Sequence, residues 1–140
     1  LHKARREGAM EAAGDARITE FPGDFTLQSG QQAALAWQAL PPLDRPTGIF
    51  AFSDEMACAF MAGLQRAGHL VPRDVSIVGF DDIELVSHLA PALTTIRQPK
   101  REIGRKAART ILDRIAGCEI PAVTLLAPLM MARETTAPPP

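Results

Sequence analysis

Two short apolar runs constrain this chain more than any other feature. Residues 48–52 (Gly-Ile-Phe-Ala-Phe) and 75–80 (Val-Ser-Ile-Val-Gly-Phe) are of strand length, and each meets polar side chains at its end. Such runs, with almost no polar alternation, suit strands covered on both faces. Between them Met56, Ala57, Phe60, Met61 and Leu64 recur at spacings of three and four, the stripe of an amphipathic helix. Ser53 and Asp54 each offer an oxygen to the free N–H groups of its first turn, and Gly68 is its stop. Strand, helix and strand in this order form a right-handed parallel crossover. Asp81 and Asp82 follow the second strand directly. Open parallel sheets bind ligands outside the carboxyl ends of their strands, so Ser53, Asp54 and Asp81 are expected on one rim.

The rest of the chain extends the alternation. Residues 1–13 are charged and alanine-rich, a helix stopped by Gly14, and 18–21 are a strand candidate broken by the turn residues Pro22, Gly23 and Asp24. Residues 29–40 read as a helix with Leu35, Ala36 and Ala39 towards the core, ended by Pro41 and Pro42. After Asp82 the pattern predicts a short helix over 83–90, with Leu85 and Leu89 four apart on one face, and then a strand over 93–96. Pro99 opens a strongly periodic helix whose stripe is Ile103, Ala107, Ile111, Leu112 and Ile115. Residues 123–126 and 129–131 are closing strand segments, which Pro128 assigns to an edge, and three prolines form a frayed tail. The fold class is α/β, a parallel sheet with helices on both faces.

Composition serves mainly to exclude. The 140 residues allow one modest core, and a net charge of −1 gives no basic surplus for gripping a phosphate backbone. No run has the length of a membrane span, and no apolar signal core opens the chain. Cys58 falls within the central helix and reads as a buried thiol rather than half of a disulfide, which fits a reducing, cytoplasmic setting. A first residue of Leu, already in a helical pattern, leads us to expect an upstream part. His2, His69 and His88 lack metal-ligand spacing, and no glycine-rich phosphate loop is present. A Ser53–His88–Asp81 triad can be written down, but nothing sets an oxyanion hole beside it. Neither metal, cofactor nor catalysis is expected.

What the pattern brings together is a polar rim of Arg5, Phe25, Ser53, Asp81 and Gln98. A carboxylate accepts from paired hydroxyls, Arg and Gln add directional donors, and an aromatic covers an apolar face, so the set suits a small polyhydroxylated ligand. Each has a plainer alternative: a solvated helix charge for Arg5, packing for Phe25, a cap of the next helix for Asp81.

The run Val75 to Asp82, followed by Pro91-Ala92-Leu93-Thr94-Thr95-Ile96-Arg97-Gln98-Pro99, resembles the lactose-repressor (LacI/GalR) family of bacterial transcription regulators. So do Ala51-Phe52-Ser53-Asp54-Glu55-Met56-Ala57, Arg5 with Gly8, Gly23-Asp24-Phe25 and Arg133-Glu134-Thr135-Thr136, in the family's order over nearly the whole chain. The Gly-Asp-Phe-Thr run and residues 101–105 are similar to its purine- and nucleoside-sensing branch. The resemblance implies a periplasmic-binding-protein-like (type I) subdomain, truncated at its N-terminus, that senses a sugar or nucleoside-like effector. Arg5, Phe25, Ser53, Asp81 and Gln98 match effector-contacting places, and Cys58, Met61, Leu85 and Leu89 fall where the family pairs into a homodimer. It divides the chain into an incomplete C-terminal subdomain (1–98), a crossover helix and linker belonging to a missing first subdomain (99–122), closing strands (123–136) and a disordered tail (137–140). DNA contact is expected only through a helix-turn-helix that this chain lacks, and the apolar strand the family places before the Arg5 helix is also absent, leaving the sheet short of a central member. A periplasmic sugar-binding protein shares the fold and is the rival expectation; an enzyme on the same scaffold comes third.

Overall fold

In the computed structural model, which describes residues 2–139, the order of elements follows the alternation of the sequence. Helix α1 (His2–Ala13) is followed by α2 (Leu27–Ala39), strand β1 (Gly48–Phe50), α3 (Asp54–Arg66), β2 (Ser76–Phe80), β3 (Thr94–Arg97), α4 (Lys100–Ile115) and β4 (Leu129–Met131). Single 3-10 turns occupy Pro42–Asp44 and Glu84–His88. The sheet order is β1-β2-β3-β4. The first three strands are parallel, with Ile49 beside Ile77 and Val78 beside Thr94, and β4 closes the edge antiparallel to β3.

Helix α3 lies on the sheet and α2 lies on α3. Ala57, Phe60 and Leu64 meet Val75, Ile77, Val86 and Leu93 in the buried cluster, which Ala34 and Trp37 join from α2. The inward face of α2 is therefore Gly30, Ala34 and Trp37, while Leu35 is 67% exposed and Ala36 and Ala39 are also outside. This corrects the expectation that Leu35, Ala36 and Ala39 face the core. Close approach of the two helices decided it: a Cβ at Gly30 would overlap the Met56 carbonyl, so small residues rather than Leu must face α3. The helix also starts earlier than residue 29, because the Thr26 hydroxyl accepts from the Ser29 N–H at 3.2 Å.

Two expected strands do not form. Residues 18–21 lack a ladder, and together with Gly48, Ile49, Phe50 and Ala51 they line a mostly apolar groove of about 500 Å³ that separates them from β1. Residues 123–126 are irregular, with Val123 and Leu125 71% and 89% exposed. Near residue 85 the turn is 3-10 rather than α, which moves the inward period from four to three. Ile83, Val86 and Leu89 face the core and Leu85 is 57% exposed, so Leu85 and Leu89 do not share a face.

Helix α4 contributes no buried residue. Ile103, Ile111, Leu112 and Ile115 are 43–79% exposed, so the stripe does not close on the chain's own sheet. Burying each such side chain fully is worth about 1.5–3 kcal/mol. The isolated chain is therefore expected to self-associate through α4, and Ile111→Glu to shift it towards monomer in sedimentation. A monodisperse parent whose α4 amides are well protected from hydrogen exchange would contradict this.

Candidate ligand-binding site

The rim is assembled by three strand ends and the first turn of α3. Ser53 caps that helix, its hydroxyl accepting from the Met56 N–H at 3.2 Å. Asp54, the other capping candidate, is instead fully buried. Its carboxylate accepts from the Ile83 N–H at 2.9 Å and the Thr95 hydroxyl at 2.5 Å. Burial pushes this carboxyl above the ordinary aspartate value; the two hydrogen bonds act the other way, and the charges of Asp81 and Asp82 add to the rise. Gly79 is required opposite it, since a Cβ there would collide with Asp54 Oδ1.

Asp81 and Asp82 follow β2 with φ of 114° and 49°. Such values are unusual for non-glycine residues and gather at functional sites. Gln98 Nε2 donates to Asp81 Oδ1, and Arg5 Nη2 lies 4.0 Å from the same oxygen. The next 3-10 turn has no side-chain cap, so the capping alternative for Asp81 does not apply. Asp82 is held by Arg97 Nε and, at 2.6 Å, by Arg133 Nη2. Burial alone would raise its carboxyl; hydrogen bonds and charge from Arg133 and Arg97 outweigh that and hold it below the ordinary range.

Arg5 is the one buried guanidinium on an otherwise wet helix. α1 touches the body through Arg5, Ala9 and Ala13, four apart, and the Arg5 side chain is 10% exposed. It donates to the Phe52 carbonyl, lies 3.6 Å over the Phe80 ring and sits 6.0 Å from the Phe25 ring. Arg6 next to it is the solvated one, bidentate to Glu20 at 2.6 and 2.7 Å. Phe25 is held at φ 69° in a loop where Asp24 accepts from both the Thr26 N–H and hydroxyl, and the Thr26 hydroxyl bond in particular keeps the Asp24 carboxyl below its usual value.

The structure thus brings Arg5, Phe25, Asp81 and Gln98 together and keeps Ser53, 2% exposed, beneath them with its hydroxyl engaged. A cleft of about 600 Å³ opens beside Asp81, Asp82, Arg97 and Gln98, walled by Lys100, Arg101 and Arg105 of α4. Sequence reasoning missed the aromatic cluster in which Phe50 lies 5.3 Å from Phe52 and 6.5 Å from Phe80, with Phe50 and Phe52 lining the apolar groove beside residues 18–21. Their place at the carboxyl ends of two neighbouring strands was the available signal. The set offers an acceptor, two kinds of donor and an aromatic surface. Among the described residues no group of three or more His, Cys, Asp or Glu is arranged to hold a metal. His88 is exposed, and no hydrogen bond joins it to Ser53 or Asp81 among those of the described residues.

Of the expected pairing residues, Met61 is 3% exposed and belongs to the chain's own core, a correction to its assignment to a surface. Cys58 is half-buried, its thiol pushed up to about 11 by burial and then by Asp54 and Glu55. It and the exposed Cys118 are free thiols.

A parallel-dominated sheet with donors, an acceptor and aromatics at its carboxyl edge defines an α/β ligand-binding lobe. Residues 1–136 match the model of the periplasmic binding protein-like domain. Among curated relatives, the HTH-type transcriptional repressor PurR of Aliivibrio fischeri is 41% identical over 118 residues, which are 81% of this chain and 35% of that protein. PurR of Vibrio vulnificus is 40% identical over 119 residues, 79% of this chain and 34% of the relative. A LacI-family regulatory protein from Chloroflexus aggregans superposes with a TM-score of 0.88 at 31% identity, over 96% of this chain and 50% of its own. A LacI-family regulator from Enterococcus faecium with bound ribose gives 0.79 at 34%, over 97% and 52%. The chain belongs to the periplasmic binding protein-like family, and its sequence and fold are similar to part of LacI-family regulators. It spans about a third of the length of the curated relatives it matches.

Asp54→Ala in the full-length protein leaves the Ile83 N–H and Thr95 hydroxyl unpaired, an expected loss of about 1–3 kcal/mol for each orphaned group. Because the folded-state value of Asp54 is raised, the stability it adds is complete below the ordinary 3.8 and declines as pH rises through the raised value. The gap between wild type and variant should narrow with rising pH in urea unfolding; parallel pH profiles would refute the shift.

Proposed function

We propose that this chain is the ligand-sensing part of a DNA-binding transcriptional repressor, and that its rim binds a small sugar or nucleoside-like effector. The observation that carries the reading is Asp81. It is a carboxylate set at positive φ on a strand end, flanked by Gln98 and by Arg5, whose guanidinium lies over the Phe80 ring. The charge-assisted acceptor takes paired hydroxyls, and the Phe25 and Phe80 surfaces take the apolar face of a sugar or base. Relatives named as repressors and a neighbour solved with ribose support the same class of ligand, and they favour a cytoplasmic regulator over a transport protein. The rim residues bind and orient; catalysis forms no part of the reading.

Residues 1–98 make most of one lobe in this proposal. Residues 99–122 cross to a first lobe, and the exposed stripe of α4 packs there. Residues 123–136 return to close the sheet. Ligand closure of the two lobes then biases distant DNA-binding heads, a coupling between sites of the kind that stabilises one global state. With a net charge of −1 the chain has no basic surplus, and in this reading DNA contact belongs to other parts of the full-length protein. Pairing of two copies uses Cys58, Leu85 and Leu89, with exposed Leu85 at its centre.

In the full-length protein, Asp81→Ala should weaken binding of the effector by about tenfold or more, the cost of one charge-assisted hydrogen bond. Calorimetry with D-ribose, cellobiose, adenosine and hypoxanthine tests it. Unchanged affinity in a folded variant rejects Asp81 as the acceptor. Leu85→Arg should convert a dimer to monomer in sedimentation, and an unaltered mass would displace the pairing face.

A further inference from the structure

Two passages of chain meet at the carboxyl end of β2. One leaves β3 through Arg97 and Gln98 into α4, and the other returns through β4 to Arg133. A single side chain holds both. Asp82 Oδ2 accepts from Arg97 Nε, and Oδ1 accepts from Arg133 Nη2. The Asp82 and Arg133 side chains are 6% and 16% exposed, so this ion pair is shielded and not a rim decoration.

Arg133 is in turn fixed on every side. Its Nη1 donates to the Leu93 carbonyl at 2.8 Å, and its backbone N–H donates to the Thr94 hydroxyl at 2.9 Å. The residues after it are pinned as firmly. The Glu134 N–H donates to the Ala92 carbonyl while the Glu134 carboxylate accepts from the Ala92 N–H. Thr135, fully buried, bridges the Thr94 N–H and the Ile77 carbonyl. The returning strand is therefore a rigid anchor, and Asp82 is tied to it.

Asp81 lies one residue away in a backbone that L-residues rarely adopt. Its N–H donates to the Ile96 carbonyl, its carboxylate takes Gln98, and both Asp81 and Asp82 have positive φ. Such a conformation persists only where its surroundings over-determine it. The strongest restraint on the second of these two residues is the pair of guanidiniums.

We propose that Asp82, clasped by Arg97 and Arg133, is a positioning residue for the ligand site: it holds the backbone that aims Asp81 into the cleft and fixes both inter-lobe connections to the end of β2. This rests on the reading of Asp81 as the ligand acceptor. Asp82 and Arg97 stand in the wall of the same cleft, but the Asp82 side chain is 6% exposed and both of its oxygens are taken by guanidiniums, which leaves it little capacity to accept from a ligand. Asp82 acts on affinity entirely through Asp81.

The test uses full-length protein and calorimetry with D-ribose, cellobiose, adenosine and hypoxanthine. Binding of none of them by wild type counts against the effector reading, and the clasp falls with it. With a probe that binds, Asp82→Asn should weaken affinity by about tenfold. Arg97→Lys, at the more exposed arm, should weaken it less while leaving the fold intact, and it serves if Asp82→Asn does not fold. The decisive readout is a double-mutant cycle: in an Asp81→Asn background, either clasp substitution should cost no further affinity. Affinity losses that add independently of Asp81, or a probe Kd unchanged by a clasp substitution that lowers the unfolding midpoint, would reduce the clasp to a stabilising ion pair and overturn the proposal.

Discussion

A carboxylate placed where water does not reach must find its hydrogen bonds inside the protein, and Asp54 finds them on two separate elements. The Ile83 N–H comes from the turn after β2, and the Thr95 hydroxyl comes from β3. One side chain at the first turn of α3 therefore ties that helix to the carboxyl ends of two strands. It also dictates Gly79, the only residue small enough to let the sheet pass beneath it. With Ser53 spent on the helix cap, the rim inherits its shape from these buried bonds and not from the groups that line it.

Three aspartates crowd this end of the sheet, and like charges so close are tolerated only because each is treated differently. Asp54 is buried and shifted towards its neutral form. Asp82 is neutralised by Arg97 and Arg133. Asp81 alone stays partly open, with an amide and a guanidinium that leave it accepting capacity. The division of labour explains how a carboxylate-rich strand end keeps one carboxylate partly open without three bare charges side by side.

Elsewhere the molecule leaves apolar surface open. The α4 stripe, Leu129 and Met130 of β4, and the groove between residues 18–21 and β1 all lack a cover among the described residues. Surfaces of this kind mark places where further protein packs. They agree with a chain that spans about half of its LacI-family structural neighbours and a third of its curated relatives.

The alternation of strand and helix, the parallel crossover over residues 48–80 and a carboxylate pair at the end of the second strand follow from the sequence, because apolar period and position at a strand end are local properties. The family resemblance could add Arg5, which composition would have left in water. Tertiary structure decided what depends on partners. Residues 18–21 have strand chemistry but no neighbour to ladder with, so they stay irregular. Leu35 lost the core to Gly30 and Ala34 because two helices approach too closely for a large side chain. Met61 went inside and Leu85 outside once the turn tightened from α to 3-10 near residue 85 and α2 covered α3. The choice between Asp81 and Asp82 was likewise not written in an Asp-Asp pair. It was made by Arg133, far along the chain, arriving beside one of them.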